Sequence, residues 1–271
     1  MHAPATTPVP PAWKVVTFGG LSVERQGTPV EWTARSARDL FAALLASPDG
    51  VRRETLLEDL WGLAPSPAAD NRFRVTAHRL RTTLGSPDSV QERGGRVRLS
   101  PDLLAAADFS LLHAALNAPP AAPDARLRTL DAALALYTGD FLPDDTLDRV
   151  QVARDAHRGA YARLSVERSV LACDAHACRD TVDALVHALR ADPYLGEQHH
   201  QQLMTCLTVT DDRYAATEHY RRFVRFLRDE LGDTPMPETV ALAARIKCGE
   251  QICERRPGQH GPPPCPFLPQ R

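Results

Sequence analysis

Apolar residues in the first hundred positions follow two periods in turn. Trp13, Val15 and Phe18, then Leu21 and Val23, then Val30 and Trp32, fall in short β-prone runs interrupted by Gly19-Gly20 and Gly27. That pattern predicts a small antiparallel sheet. The period then becomes helical. Ala37, Leu40, Phe41, Leu44 and Leu45 form one stripe, with Thr33 expected as the N-cap and Pro48-Asp49-Gly50 as the stop. Arg53 to Trp61 predicts a short second helix with Leu56, Leu57, Leu60 and Trp61 on its apolar side, and Gly62 beyond its end. A third helix is expected from about Ala68 to Leu84, stopping at Gly85. Then Val90, Val97 and Leu99 alternate with polar residues around Gly94-Gly95, a pair that signals a hairpin. A small sheet, three helices and a hairpin make the layout of a winged helix-turn-helix with an added N-terminal sheet.

From Asp108 the pattern is helix after helix, over 108–117, 124–138, 146–174, 177–191, 196–209, 212–231 and 236–247. A shift of 35 residues aligns Thr181, Leu185 and Ala188 with Ala216, Tyr220 and Phe223, the small and large apolar spacing of a tetratricopeptide repeat. The expected fold is therefore mostly α. A winged helix over 13–107 is followed by an all-α tetratricopeptide-like domain over 108–247. The proline-rich residues 1–12 are expected as a disordered arm, and 248–271 as a flexible tail.

Composition narrows the class. With 43% apolar and 24% charged residues the chain is an ordinary globular one, neither collagen-like nor wholly disordered. No apolar run approaches the roughly 18 residues of a membrane helix, and no basic-then-apolar leader pattern opens the chain, so a cytoplasmic location is expected. The net charge of −2 hides an asymmetry: residues 1–107 carry 13 basic against 11 acidic side chains, and 108–271 carry 19 against 23. Between Arg72 and Arg98 seven arginines face only Asp88 and Glu92. Such a local excess suits a defined polyanion-binding face, although a solvated arginine-rich helix gives the same count.

The third helix carries the most information. At about 100° per residue, Ala69, Phe73, Ala77, Leu80 and Leu84 share one sector fit for packing. The opposite face displays Asn71, Val75, His78, Arg79 and Thr82, flanked by Arg72, Arg74 and Arg81. Arg can hold guanine bidentately, Asn can hold adenine, and a Val or Thr methyl can meet the thymine methyl, so this face has the chemistry of major-groove readout. Arg93, Arg96 and Arg98 around the Gly-Gly turn could reach phosphates or a minor groove as wings do.

Other candidate chemistry is weaker. Cys173 and Cys178 with His176 between them, and Cys248 and Cys253 with His260 and Cys265, have zinc-ligand character but no standard finger or ribbon spacing, so no metal site is expected. His187 and His199-His200 are expected to line a groove or the solvent. Asp140 with Asp144-Asp145 resembles a carboxylate pair. There is no nucleophile elbow, HExxH or glycine-rich phosphate loop, so neither an enzyme nor a cofactor is expected.

These segments together resemble the SARP type of bacterial transcriptional regulator. The cues are WKVVTFGGLSVERQGTPVEW, ARDLFAALLASPDGVRRETLLEDLWG and NRFRVTAHRLRTTLG, then LDAALALYTGDFLP, ALRADPYLGEQHHQQLM and YAATEHYRRFVRFLRDELGDTPMPET. The resemblance covers about 13–247. It implies an OmpR-like winged helix that binds double-stranded DNA, joined to a bacterial transcriptional activation domain that contacts RNA polymerase or a neighbouring protomer on direct repeats. It also implies that Asn71, Arg72, Val75, Arg79 and Thr82 lie in or beside the major groove and that Arg93 and Arg96 are wing contacts. Thr33, Arg35 and Arg38 would meet the phosphate backbone. The competing class is a protein-interaction scaffold or ligand-sensing adaptor whose winged helix leaves DNA alone.

Overall fold

The computed structural model describes residues 12–253. The arm expected over 1–12 and the tail expected over 248–271 lie outside these residues, save Ala12 and the stretch 248–253. By packing, the chain forms two compact units. The first comprises the described residues up to Ala118 together with Ala135–Arg158, and the second Pro119–Leu134 with the residues from Gly159 onward. The fold is mostly helical, as the sequence pattern predicts.

The first unit opens with an antiparallel meander of β1 (Trp13–Val16), β2 (Ser22–Arg25) and β3 (Thr28–Pro29), in which Val15 faces Val23 and both are buried. Helix α1 (Arg35–Leu45) follows and buries the expected stripe of Ala37, Leu40, Phe41, Leu44 and Leu45. Its N-cap is Ala34, which makes no side-chain cap, and not Thr33. The helix starts one residue later than the Thr33 signal suggests. A strand of two residues, β4 (Val51–Arg52), is too short to show a period and escaped the sequence pattern. Helix α2 (Arg53–Trp61) and helix α3 (Pro67–Leu84) both end on glycines in the left-handed region, Gly62 and Gly85. The start of α3 is fixed by Ser66, whose hydroxyl accepts from the Ala69 amide at 3.2 Å, with Pro67 at the first helical position.

Strands β5 (Val90–Arg93) and β6 (Arg96–Leu99) form the expected hairpin, with Arg93 opposite Arg96. Gly94 and Gly95 have φ of 58° and 73°, the paired left-handed geometry of a two-residue turn whose twist suits the strands. β4 pairs with β6 and completes a sheet in the order β4-β6-β5. Gly50, at φ 84°, lies so close to this sheet that a Cβ there would meet the Val97 carbonyl oxygen at 3.0 Å. A short α4 (Pro101–Ala105), capped by Ser100, leads into α5 (Asp108–Leu116).

One buried carboxylate ties the start of the chain to α5. Asp108 accepts from the Thr17 and Phe18 amides at 2.8 and 3.0 Å, from the Thr17 hydroxyl, and from its neighbour's amide at Phe109. The segment Thr17–Gly19 also meets the stretch after residue 135: Leu142 donates to the Thr17 carbonyl at 2.9 Å and Gly19 to Asp140 at 2.9 Å. Phe18 sits among Tyr137, Phe141 and His157, with ring centroids 4.7, 6.5 and 5.8 Å away. Arg154, buried, donates to the carbonyls of Phe141, Leu142 and Asp145 and holds this loop in shape.

The second unit contains α6 (Pro123–Leu134), the part of α7 (Asp148–Asp174) from Gly159, α8 (Cys178–Ala191), α9 (Glu197–Thr210), α10 (Arg213–Phe226) and α11 (Pro237–Lys247). Helix α6 stops at Leu134, four residues short of the expected end at 138. Tyr137 and Thr138 are taken by the loop instead, through bonds to Asp140 and to the Phe18 carbonyl. A π-helical turn, Leu227–Leu231, extends α10. The repeat offset is visible in the helices themselves, since α8 and α10 start and end 35 positions apart. Thr181, Leu185 and Ala188 on α8, and Ala216 and Phe223 on α10, are buried. Val182, Leu185, Leu203 and Cys206 form one core cluster and Met204, Ala216, Leu242 and Ile246 another. His200, expected near a groove or solvent, is instead buried, stacked on Phe223 at 3.9 Å and hydrogen-bonded to His219 at 3.2 Å.

Two predictions follow from this packing. Asp108→Ala leaves three amides and a hydroxyl without their acceptor, and it should lower unfolding stability by about 3 kcal/mol in chemical denaturation. The buried histidines set an acid limit. Burial, and then the neighbouring His113, push the His157 pKa down to about 4, while burial pushes His200 to about 3 and His219 to about 4. The unfolded chain therefore binds more protons below about pH 6.5, so this stability is complete above that value and is lost as the pH falls towards about 4. Denaturation midpoints measured across that window should fall with pH. His157→Phe, which fits the surrounding aromatic rings, should make the dependence shallower.

Candidate nucleic-acid interface

Helix α3 presents two faces. Ala69, Phe73, Thr76, Ala77, Leu80 and Leu84 are buried, and α3 packs on α1 through them. Asn71, Arg72, Arg74, Val75, His78, Arg79 and Thr82 are all exposed. At about 100° per residue, His78, Asn71, Thr82 and Val75 form a central strip on that outer face, with Arg79 and Arg72 along one side and Arg74 along the other. Val75 is 41% exposed, an apolar group open to water on a cationic face. The Thr82 hydroxyl donates to the His78 carbonyl at 3.0 Å, which turns its methyl outward from the backbone bond.

The arginines divide by what they touch. Arg74, Arg79 and Arg93 are exposed and make no ion pair or side-chain hydrogen bond with any described residue. Arg72 lies over the Trp61 ring at 4.9 Å, which orders its side chain while leaving its charge available. Arg81 and Arg96 are committed. Arg81 donates to the Val90 carbonyl at 2.8 and 3.2 Å, and Arg96 to the Gly50 carbonyl at 2.6 Å. Arg96, which the resemblance makes a wing contact, thus spends part of its guanidinium on joining β6 to the approach of β4. Arg98 is half-buried, and its Nε has no partner among the described residues.

Arg53 was not legible as a functional position. Its guanidinium bonds Glu92 on β5 at 2.6 Å, approaches Asp70 on α3 at 3.6 Å, and lies over the Phe73 ring at 5.1 Å. One side chain at the start of α2 therefore joins α3 to the hairpin, and it also neutralises Glu92 beside the Arg93 turn. No local pattern signals this, because Arg53 and Glu92 are 39 residues apart.

The start of α1 is a different surface. Arg35, with 94% of its side chain exposed, lies 3.9 Å from Asp39. Arg35 and Arg38 line a polar cleft of about 180 Å³ with Asp39, Leu60 and residues 144–147, and nothing from α3 or the hairpin enters that lining. Burial is the largest influence raising the Asp39 pKa, with Asp145 adding to it and Arg35 opposing. Thr33 is exposed ahead of the helix.

The remaining sequence candidates take structural places. Asp140 pairs with Arg158 and accepts from Tyr137, and Asp145 caps the Leu147 amide at 3.0 Å. Arg158 beside it holds the Asp140 carboxyl below the usual range. Cys206, Cys248 and Cys253 are free thiols. Among the described residues no three His, Cys, Asp or Glu side chains are grouped to hold a metal, and Cys265 and His260 lie outside them. No helix among the described residues is long and apolar enough to cross a membrane.

Residues 106–247, more than half of the chain, match the family described as the bacterial transcriptional activator domain. The chain belongs to that family. Among solved structures, Mycobacterium tuberculosis EmbR, in complex with a low-affinity phosphopeptide, superimposes with a TM-score of 0.67 at 24% identity, over 88% of this chain. This chain spans 66% of that protein's length, just under two thirds. At that identity the likeness is one of fold. Comparison with curated proteins gives no match. The family match places a bacterial transcriptional activator domain over 106–247 and the structural match gives an EmbR-like fold, both in line with the sequence cues.

In this activator-domain protein the Arg53 contacts should hold the hairpin against α3. Arg53→Ala is expected to lower stability by about 1–2 kcal/mol, the sum of a partly exposed ion pair and a ring contact. Hydrogen exchange should accelerate over 90–99 and stay unchanged over α8 to α11; uniform acceleration through the whole chain would contradict the assignment.

Proposed function

We propose that the chain is a sequence-specific DNA-binding transcriptional regulator of the cytoplasm, an activator in which α3 enters the major groove and the hairpin turn meets the adjoining backbone. The observation that carries this reading is the outer face of α3, where Asn71, Val75, His78 and Thr82 stand exposed between arginines that make no ion pair among the described residues. Base-reading groups lie at the centre of that face and phosphate-binding groups at its edges. Arg79 and Asn71 would read bases, with Val75 or Thr82 against a thymine methyl. Arg72, Arg74 and Arg93 would hold phosphates and set register. Arg96 would contribute through the guanidinium nitrogens it does not spend on Gly50. Thr33, Arg35 and Arg38 would meet the backbone at a second point, against the opposing field of Asp39, Asp144 and Asp145. The winged helix would occupy 13–107 and the activation domain 108–247. The latter would contact RNA polymerase or a second protomer bound to a direct repeat.

Selection from a randomised duplex library, followed by binding at several salt concentrations, tests the proposal. An enriched motif with repeated half-sites is expected. Asn71→Ala with Arg79→Ala should erase preference for that motif, because each lost base contact removes about 1–3 kcal/mol of discrimination. Arg74→Ala or Arg93→Ala should instead weaken all duplexes alike and reduce the salt slope by about one. If no motif is enriched and the α3 variants bind duplexes as the native chain does, the DNA-reading assignment fails.

A further inference from the structure

Helix α10 buries Ala216 and Phe223 and turns its other face to solvent. That face carries Arg213, Tyr214, Arg221 and Arg225, with Tyr214 68% exposed. Beside it the C-terminal end of α11 brings Lys247, one of only two lysines in the chain. Between the two helices lies a concavity of about 400 Å³ lined by Arg213, Tyr214, Thr217, Glu218, Arg221 and Lys247. Glu218 is the one acidic group in that lining, and it is already shared between Arg221 at 3.6 Å and Arg225 at 3.7 Å. The lining is therefore net cationic, in a half of the chain where acidic side chains outnumber basic ones by 23 to 19.

We infer that this concavity is a docking site for an acidic peptide segment of a partner protein. Charge and shape both favour that occupant. Arg213 lies over the Tyr214 ring at 5.2 Å, with its guanidinium 3.4 Å from the phenolic oxygen, so a cation and an amphipathic ring are already held together at the rim. Arg and Tyr are the side chains that most often anchor protein interfaces, because they combine area with directed hydrogen bonds. Arg213, Arg221 and Lys247 converge on a hollow of about 400 Å³, room for several side chains of a peptide. An extended peptide can lower single carboxylates into such a hollow, whereas the continuous phosphate row of a duplex needs cations along a ridge. The acidic surroundings also disfavour a long polyanion while leaving a short acidic segment to the local field. The site supplies a place for the partner contact that the regulator reading requires. It rests on that reading for its biological setting only, since peptide capture is measured without DNA.

The test uses the full chain and a fluorescein-labelled glutamate-rich peptide, titrated by fluorescence polarisation beside its glutamine counterpart. The glutamate peptide should bind and the glutamine peptide should not. Arg213→Glu with Lys247→Glu should weaken binding by about tenfold or more, with an unchanged far-ultraviolet circular dichroism spectrum. Arg163→Glu, an exposed arginine on α7, should leave binding intact, and so should Asn71→Ala with Arg79→Ala on α3. Equal binding of both peptides, or an unchanged affinity in the Arg213/Lys247 variant, overturns the inference. It is equally overturned if a random duplex displaces the peptide and itself loses affinity in that variant but not in the α3 variant, for the face is then a nucleic-acid site.

Discussion

Burial of Ala69, Phe73, Ala77, Leu80 and Leu84 against α1 fixes the rotation of α3 about its own axis, and the character of the outer face depends on that rotation. A helix turns about 100° per residue, so a change of one position in the buried stripe would carry Asn71 and Thr82 off the centre of the exposed strip. Ser66 and Gly85 set the two ends, which leaves the helix no register but this one. The apolar stripe is thus the positional reference for every polar group proposed to read a base. Large side chains at Phe73 and Leu80 make the reference stiff, because either one truncated in a packed core leaves a cavity worth about 3 kcal/mol or more.

The same region uses one residue type for two purposes. An arginine whose guanidinium meets a backbone carbonyl in the fold, as Arg81 does at Val90 and Arg96 at Gly50, is held in place and contributes to the shape of the hairpin. One without a partner among the described residues, as Arg74, Arg79 or Arg93, keeps its hydrogen-bonding capacity for a ligand. Arg53 belongs with the first group and acts furthest, since it meets Glu92, Asp70 and the Phe73 ring together. A planar group with five donors can do this where a lysine ammonium could not, and the near absence of lysine from the chain is consistent with that use.

The stripe on α3, the Gly94-Gly95 hairpin and the 35-residue offset between α8 and α10 were all legible in the sequence, because each is a local pattern read against a known geometry. What stayed hidden was non-local. The strand β4 has only two residues and exists because Val51 and Arg52 find Val97 and Arg96. The end of α6 is set by Tyr137 and Thr138 bonding elsewhere, against a helical period that ran on to 138. His200 gave no sign of burial, since its place depends on Phe223 and His219 from another helix. On the candidate face, the sequence located the arginines but could not separate those in use from those free, for that depends on which carbonyl each one reaches.

The family match begins at residue 106, yet packing draws its first part into the same unit as the N-terminal sheet. The reason lies at Thr17–Gly19. Those residues are held by Asp108 on one side and by the loop of Asp140 and Leu142 on the other, with Phe18 enclosed by Tyr137, Phe141 and His157. Neither side is complete without the other. A chain divided between 107 and 108 would expose Phe18 and Phe141 to water and leave a buried carboxylate without its donors, two changes that each remove a few kcal/mol. The N-terminal sheet and the first part of the family region are thus two sequence patterns that share one core.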